Sequence, residues 1–226
     1  SNCFLYIFIK VRIILFTISF FSSYLFYAQE NFSSFYFKTS QPTNTPSIFS
    51  FSENYTGSYY KENDSLIRII VEKDSIYSEF GILFTLPKKE LKKNKTFFIE
   101  DSLLYGVQAN SGIPFKSIND TIYAVMIQRD LLFKPDSIHI LKQQNEMYFL
   151  NSKSSKNLFS TKLLRLENDT LIIKEIDHIN SFELLKKFQE FDEDDQNNIK
   201  TYLANPTKKE LDLFINEDGF NELLKF

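Results

Sequence analysis

The chain has 226 residues, of which 43% are hydrophobic and 24% charged, and its formal net charge is −3. This length favours one domain with an appendage, and the composition is ordinary for a globular protein. The small negative charge argues against a nucleic-acid-binding protein, as does the lack of a lysine and arginine stripe with interleaved aromatic residues. The single cysteine, Cys3, excludes an internal disulfide and a cysteine-based metal site.

Residues 1–28 have the pattern of an export signal. Lys10 and Arg12 supply positive charge, and an uncharged, largely apolar run of 16 residues extends from Ile13 to Ala28. This run is shorter than the roughly 20 residues of a membrane span and resembles the apolar part of a signal peptide. We therefore expect cleavage near Ala28 and an exported protein, which is periplasmic, in the outer envelope or secreted. The alternative is an uncleaved anchor, which would be the protein's only contact with a membrane.

Residues 29–52 are rich in Ser, Thr and Asn and contain Pro42 and Pro46. This composition predicts an extended lead-in, because these residue types favour turns and irregular backbone. A strand is expected only at its end, from Ile48 to Phe51.

The segment from Asp64 to Phe84 predicts a β-hairpin with a short polar connection at residues 72–75. Its opening signal, an Asp or Asn followed by Ser or Thr and an aliphatic residue, recurs four times further along the chain. The irregular spacing of these signals argues against a solenoid or propeller. Residues 53–176 therefore predict a mainly β domain, an antiparallel meander sheet or small barrel of about nine to ten strands.

The hairpin has one apolar face and one mixed face, because side chains alternate across a strand. Ile69, Phe80 and Ile82 lie on the apolar face and are the weak candidates for ligand contact. The mixed face is expected to form a solvated outer wall. It carries the charged residues Arg68, Glu72 and Glu79.

Two stretches of the β domain are interpreted as connections between strands. Residues 88–95 hold five lysines, which predicts a solvated loop, with contact to an anionic surface as the minor alternative. The sequence Ser-Gly-Ile-Pro at residues 111–114 is interpreted as a turn.

Residues 177–226 predict a C-terminal helical module, because the apolar spacing changes from two to three or four residues. Thr207 and Glu210 have the spacing of a capping box. The helices are predicted at residues 181–191, 199–203, 207–219 and, as a last turn or two, 220–226.

The helical module is acidic, with 12 acidic and 6 basic side chains. Its run Asp192–Asn198 departs from a calcium-binding loop, because Asn197 and Leu203 stand where an EF-hand has Gly and Glu. We interpret the run as an acidic helix start or interhelix loop. The Phe and Leu stripe of the module is expected to pack on the sheet, with docking of a partner as the alternative.

No recognisable catalytic or cofactor motif is present in the sequence. Its two histidines, His139 and His178, are interpreted as surface or internally hydrogen-bonded residues, and no Gly-x-Ser-x-Gly or Gly-rich phosphate motif occurs. We therefore predict no catalytic residue, metal or cofactor. The favoured function is non-catalytic binding of an apolar or amphipathic small molecule or of an envelope protein. The alternatives are a module that docks through its C-terminal helices and a hydrolase whose site forms only in the folded chain.

Overall fold

The computed structural model describes residues 34–93, 95–108, 111–176, 180–187, 192–196 and 199–226. Within these ranges the protein is mainly β, with sixteen strands and three short α-helices. The strands are β1 (Ser34–Phe37), β2 (Ser47–Ile48), β3 (Gly57–Lys61), β4 (Asp64–Val71), β5 (Ile76–Pro87), β6 (Phe98–Glu100), β7 (Leu103–Gln108), β8 (Ser111–Ile118), β9 (Thr121–Phe133), β10 (His139–Gln144), β11 (Met147–Lys153), β12 (Phe159–Glu167), β13 (Thr170–Glu175), β14 (Asp192–Gln196), β15 (Ile199–Ala204) and β16 (Asn221–Lys225). The helices are α1 (Lys88–Lys93), α2 (Asn180–Leu185) and α3 (Lys208–Asn216).

The strands form two sheets in place of a single meander or closed barrel, and one sheet curves into a half-barrel. The nine-stranded sheet has the order β14-β15-β1-β12-β11-β10-β2, with β13 paired to β12 and β16 paired to β13. The seven-stranded sheet has the order β3-β4-β5-β9-β8-β7-β6. The mainly β prediction is confirmed, and the predicted hairpin is β4 and β5, joined by a turn in which the Glu72 N–H donates to the Ser75 carbonyl (2.8 Å).

The main hydrophobic core lies between the two sheets. Ile69, Ile76 and Phe133 of the seven-stranded sheet meet Tyr148 and Leu164 of the nine-stranded sheet, and all five are buried. The interior is therefore filled with side chains, as the alternating apolar faces of the strands require.

The nine-stranded sheet is also covered on its other face, by α2 and α3. Thr207 caps α3 through the predicted capping box with Glu210. Phe214 and Phe220 pack with ring centroids 5.4 Å apart, and both are buried. The C-terminal residues thus form part of the sheet's hydrophobic core, and the predicted helix at residues 207–219 is confirmed.

Two other helices predicted in this module are wrong. Residues 199–203 belong to β15, which pairs in parallel with β1 and antiparallel with β14, and the acidic run begins with β14. Residues 221–225 form β16, which pairs with β13 and covers what would otherwise be an open sheet edge. Apolar residues at short spacing fit a strand as well as a helix when the strand is brief, so periodicity could not separate the two here.

Two expectations for the rest of the chain also need correction. Residues 34–37 are not part of an extended lead-in but form β1, which lies between β15 and β12. The stretch Ser111–Pro114 is not a turn but the start of β8, which pairs with β7 and β9. Its Pro114 is exposed, and Ile113 is buried.

A second, smaller core lies at the far end of the seven-stranded sheet. It contains Leu86, Leu104, Ile113 and Ile122, with Leu91 of α1 packed against it. We call α1, β6, β7, β8 and the adjoining ends of β5 and β9 the distal lobe. Ile76, in the main core, and Leu86 are ten residues apart on β5, so the two cores are separated by about 33 Å of strand.

The buried phenol of Tyr55 makes the stability of the main core depend on pH in the alkaline range. Its hydroxyl donates to the Glu146 carbonyl (2.5 Å) and accepts from the Leu166 N–H (3.1 Å). Burial raises the pKa of Tyr55 from 10.0 to about 12. The folded state holds the Tyr55 proton more tightly than the unfolded chain does. The protonated hydroxyl therefore stabilises the folded state fully below pH 10, and this stabilisation is lost as the pH rises towards 12.

We therefore expect the free energy of unfolding to fall between pH 10 and pH 12. Denaturant titration at a series of pH values measures this fall. In Tyr55→Phe the fall should be shallower, because the phenyl ring has no proton to lose; equal slopes in the two proteins would contradict the assignment.

Candidate functional site

The three residues suggested as ligand contacts lie on one face of the seven-stranded sheet but in different surroundings. Ile69 is part of the main core, with 1% of its surface exposed. Phe80 is half-buried, and Ile82 is 41% exposed beside Met126 on β9. They follow the sheet from the main core towards the second core, and their role in binding stays a prediction.

The mixed face of the hairpin is part of a row of polar and charged residues that crosses the sheet. Tyr60, Arg68, Glu79 and Arg129 lie opposite one another on four neighbouring strands. Arg68 Nε donates to Glu79 Oε2 (2.7 Å), and this bond raises the pKa of Arg68. Only 8% of the Glu79 side chain is exposed, so the expected solvated wall is wrong at this position. The two arginines cover the carboxylate and compensate its charge.

A more promising site lies where the nine-stranded sheet forks. One edge of β12 pairs with β1 at Phe159 and with β13 from Leu163 onward. Between these points Ser160, Thr161 and Lys162 pair, among the described strands, with β11 alone. A fork of this kind leaves a gap beside the strand with backbone polar groups along it. A concave gap of this kind, with polar groups at its edge, is a suitable place for a ligand.

Three adjoining clefts run from this fork along the mouth between the two sheets. The first, of about 430 Å³, occupies the fork itself. The second, of about 130 Å³, shares Ser160, Lys162 and Leu223 with the first and opens over the main core. The third, of about 350 Å³, shares Leu132 and Phe133 with the second. We call the three together the mouth groove.

The floor of the mouth groove is apolar and its rim is mixed. Ile76, Phe133 and Ile173 are buried beneath it, whereas Leu132 and Leu223 on the rim are 45% and 39% exposed. The register of β5 and β9 shifts by one residue beside Leu132. Such a bulge redirects a side chain, which explains why the consecutive residues Leu131 and Leu132 are both exposed beside buried Phe133.

The polar groups of the mouth groove lie around Lys162. Its ammonium is 3.3 Å from Glu175 across the fork, and both side chains are more than two-fifths exposed. Ser160 lies opposite Ser152, so two hydroxyls stand next to this ion pair. Because the ion pair is exposed, its net contribution to stability is small and Lys162 can exchange Glu175 for another anion at little cost.

A hydrogen-bonded carboxylate and imidazole border the third cleft. Asp136 Oδ1 lies 3.0 Å from His139 Nδ1 and accepts the backbone N–H groups of Ile138 and His139 at 2.7 Å. The bond to the His139 ring, followed by the two backbone bonds, lowers the pKa of Asp136. The pair fixes the orientation of the imidazole at the edge of the groove.

The pair of Asp136 and His139 supplies one part of the catalytic machinery that a hydrolase needs. Ser152 lies directly opposite His139 in the β10–β11 pairing, but no hydrogen bond joins the two side chains. His178, Phe188 and the side chain of Phe182 lie outside the described part of the protein. Among the described residues, no three His, Cys, Asp or Glu side chains are grouped to bind a metal.

The sequence contains one weak indication of the groove, which lies in polar and not in apolar residues. Ser160 and Lys162 occupy the same face of β12 as Leu164, which is fully buried. Two polar residues leading into an apolar face indicate that the face reaches solvent at that end. The contributions of Leu132 and Leu223 depend on a bulge and on the pairing of β16, and neither can be read from the local pattern.

Comparison of the chain with protein-family models, with curated proteins and with solved structures gives no match. Within the described residues, no helix is both long and apolar enough to cross a lipid bilayer.

Proposed function

We propose that this protein is an exported, non-catalytic binding protein that takes an amphipathic small molecule into the mouth groove. The observation that carries the proposal is the continuity of the three clefts, which share lining residues and combine an apolar floor with one cluster of polar groups. An acyl or other apolar chain would lie over Phe133 and between Leu132 and Leu223. An anionic or hydroxylated head group would bind Lys162 and the two serines.

The size of the groove fits this ligand class. Small-molecule sites typically have volumes of about 300–1,000 Å³, mainly apolar walls and a few convergent polar groups. The cleft over the core, at about 130 Å³, is too small alone for such a ligand. The ligand must therefore extend into the fork or towards His139, which favours an elongated molecule over a compact one.

The two alternative functions are less well supported. Docking through the C-terminal helices needs an exposed apolar stripe, but Leu211 and Phe214 of α3 are fully buried. A hydrolase needs a nucleophile within hydrogen-bond reach of its base. Ser152 and His139 are neighbours without that bond, so the geometry favours binding over catalysis.

Binding of a fluorescent fatty acid by the full chain tests the proposal. We expect saturable binding that Leu132→Glu weakens at least about tenfold, because a carboxylate on the apolar rim must be desolvated beside the acyl chain. We expect Lys162→Gln to weaken binding about threefold to tenfold, since an exposed charge contributes modestly.

The matched control is Leu213→Glu, which introduces the same charge at a leucine with similar exposure, 40%, on α3 outside the groove. It should bind the probe as the unchanged protein does. Equal affinities for Leu132→Glu and Leu213→Glu would overturn the assignment of the groove.

A further inference from the structure

The distal lobe exposes large apolar side chains at the end of the sheet furthest from the main core. Leu83 is 57% exposed, Ile118 55% and Tyr123 37%. These residues belong to no cavity of the mouth groove and do not contribute to the lobe's own small core. An outward apolar face on an antiparallel sheet calls for an occupant, because such faces are ordinarily polar.

The strand register places these side chains together. Leu83, Thr85 and Pro87 on β5 lie opposite Val125, Tyr123 and Thr121 on β9. Thr121 and Tyr123 in turn lie opposite Ile118 and Lys116 on β8. Because alternate residues of a strand share a face, Leu83, Tyr123, Lys116 and Ile118 form one continuous surface, which we call the tip patch.

Lys116 belongs to the tip patch, and α1, which carries further lysines, begins at the same end of the lobe, with its Leu91 packed on the opposite face of the sheet. The backbone N–H of Lys88 donates to the Asp120 carbonyl (2.8 Å), which fixes the start of α1 against the β8–β9 turn next to Ile118. Lys88, Lys89, Lys93 and Lys116 are all exposed. None of them forms a salt bridge with another described residue. Residues 82–127 hold six lysines and four acidic residues, in a chain whose net charge is −3.

We propose that the tip patch docks on the surface of an anionic lipid membrane. The lysines would bind lipid phosphates while Leu83 and Ile118 enter the interface and Tyr123 lies at head-group level. A membrane fits this surface better than a protein does, because a stable protein interface buries about 800 Å² per partner and the tip of a small lobe offers few side chains. Residues 88–93 form α1 and not the predicted loop, and the proposal adopts the minor alternative of the sequence analysis, contact with an anionic surface.

This proposal does not depend on the mouth groove, so either can fail alone. The experiment uses full-length protein with Cys3→Ser and an environment-sensitive fluorophore attached at Leu83→Cys. Vesicles of phosphatidylcholine with phosphatidylglycerol should shift its emission to the blue, whereas vesicles of phosphatidylcholine alone should not. The probe reports the position of the tip itself, whatever other part of the chain binds the vesicle.

Lys88→Glu, Lys89→Glu and Lys93→Glu in the labelled protein should weaken the response at least about tenfold, and added salt should weaken it in the unchanged protein. The control Lys208→Glu with Lys209→Glu, two exposed lysines of α3, should have no such effect. A label at the exposed Ile138→Cys should not respond. Absence of the blue shift at Leu83→Cys, or a shift insensitive to the three charge reversals, would overturn the proposal; a response to an acidic protein only would assign the patch to a protein partner instead.

Discussion

Replacing Phe214 by alanine is expected to destabilise the protein by about 3–5 kcal/mol, the usual cost of removing a buried aromatic side chain. Phe214 is 0% exposed and packs edge-to-face on Phe220, with an interplanar angle of 63°. Gly219 lies against the same ring so closely that even a methyl group would collide with it. The surroundings are therefore tightly packed, and the truncated side chain would leave a cavity.

This loss should affect the whole molecule because α3 covers the nine-stranded sheet and β16 pairs with it. Urea denaturation followed by circular dichroism gives the free energy of unfolding. The matched control is Leu213→Ala, at the preceding residue of α3, which is 40% exposed and should cost less than about 1 kcal/mol. Similar losses for the two variants would show that α3 does not pack on the sheet in this way.

Replacing Asn151 by alanine is expected to lower the free energy of unfolding by about 3 kcal/mol, because the change leaves buried polar groups without hydrogen-bond partners. Asn151 is fully buried on β11. Its Oδ1 accepts the Gln41 N–H (2.7 Å) and the Thr161 hydroxyl (2.8 Å), and its Nδ2 donates to the Gln41 carbonyl (2.8 Å). One amide therefore satisfies both backbone groups of Gln41.

The bonds of Asn151 fix the loop of residues 38–46 to the sheet, together with Lys142. The ammonium of Lys142 donates to the carbonyls of Ser40 (2.8 Å) and Pro42 (2.9 Å), and burial lowers its pKa. Thermal unfolding measures the loss in Asn151→Ala, and Gln143→Ala, at an exposed position on the neighbouring strand, is the control. A change in Asn151→Ala no larger than in the control would contradict this role of the amide.

Much of the β-sheet could be predicted from the sequence because its strands alternate cleanly and begin at Asn or Asp turn signals. Asn63, Asn119, Asn145 and Asn168 all have positive φ angles, as turn residues at these positions require. The hairpin predicted from Asp64 to Phe84 is observed as β4 and β5, which run from Asp64 to Pro87 with the connection at the predicted residues 72–75. Local chemistry determines these elements, so a local pattern reveals them.

The C-terminal strands could not be predicted in the same way because distant partners determine them. β15 pairs with β1, more than 160 residues away, and β16 pairs with β13. The apolar spacing of residues 199–203 fits both a helix and a strand, and pairing with distant strands determines that this segment is a strand. By contrast, α3 carries its own capping box, and the sequence predicted it.

The candidate site also combines features that a local pattern reveals with features that depend on distant pairing. The apolar inner face was predicted, but the mouth groove depends on where β1 and β13 separate along β12 and on the bulge beside Leu132. Both are properties of the assembled sheets. Export and cleavage near Ala28 concern residues outside the described part of the chain and stay predictions, which N-terminal sequencing of the mature protein would test.

A nuclear magnetic resonance titration with a medium-chain fatty acid shows, residue by residue, whether the ligand binds in the mouth groove. Amide chemical shifts should change saturably at Leu132, Ser160, Lys162 and Leu223, which belong to three strands, β9, β12 and β16, that border the mouth groove. Changes confined to the stretch around Phe80 and Ile82, or no saturable change anywhere, would show that the mouth groove is not the binding site.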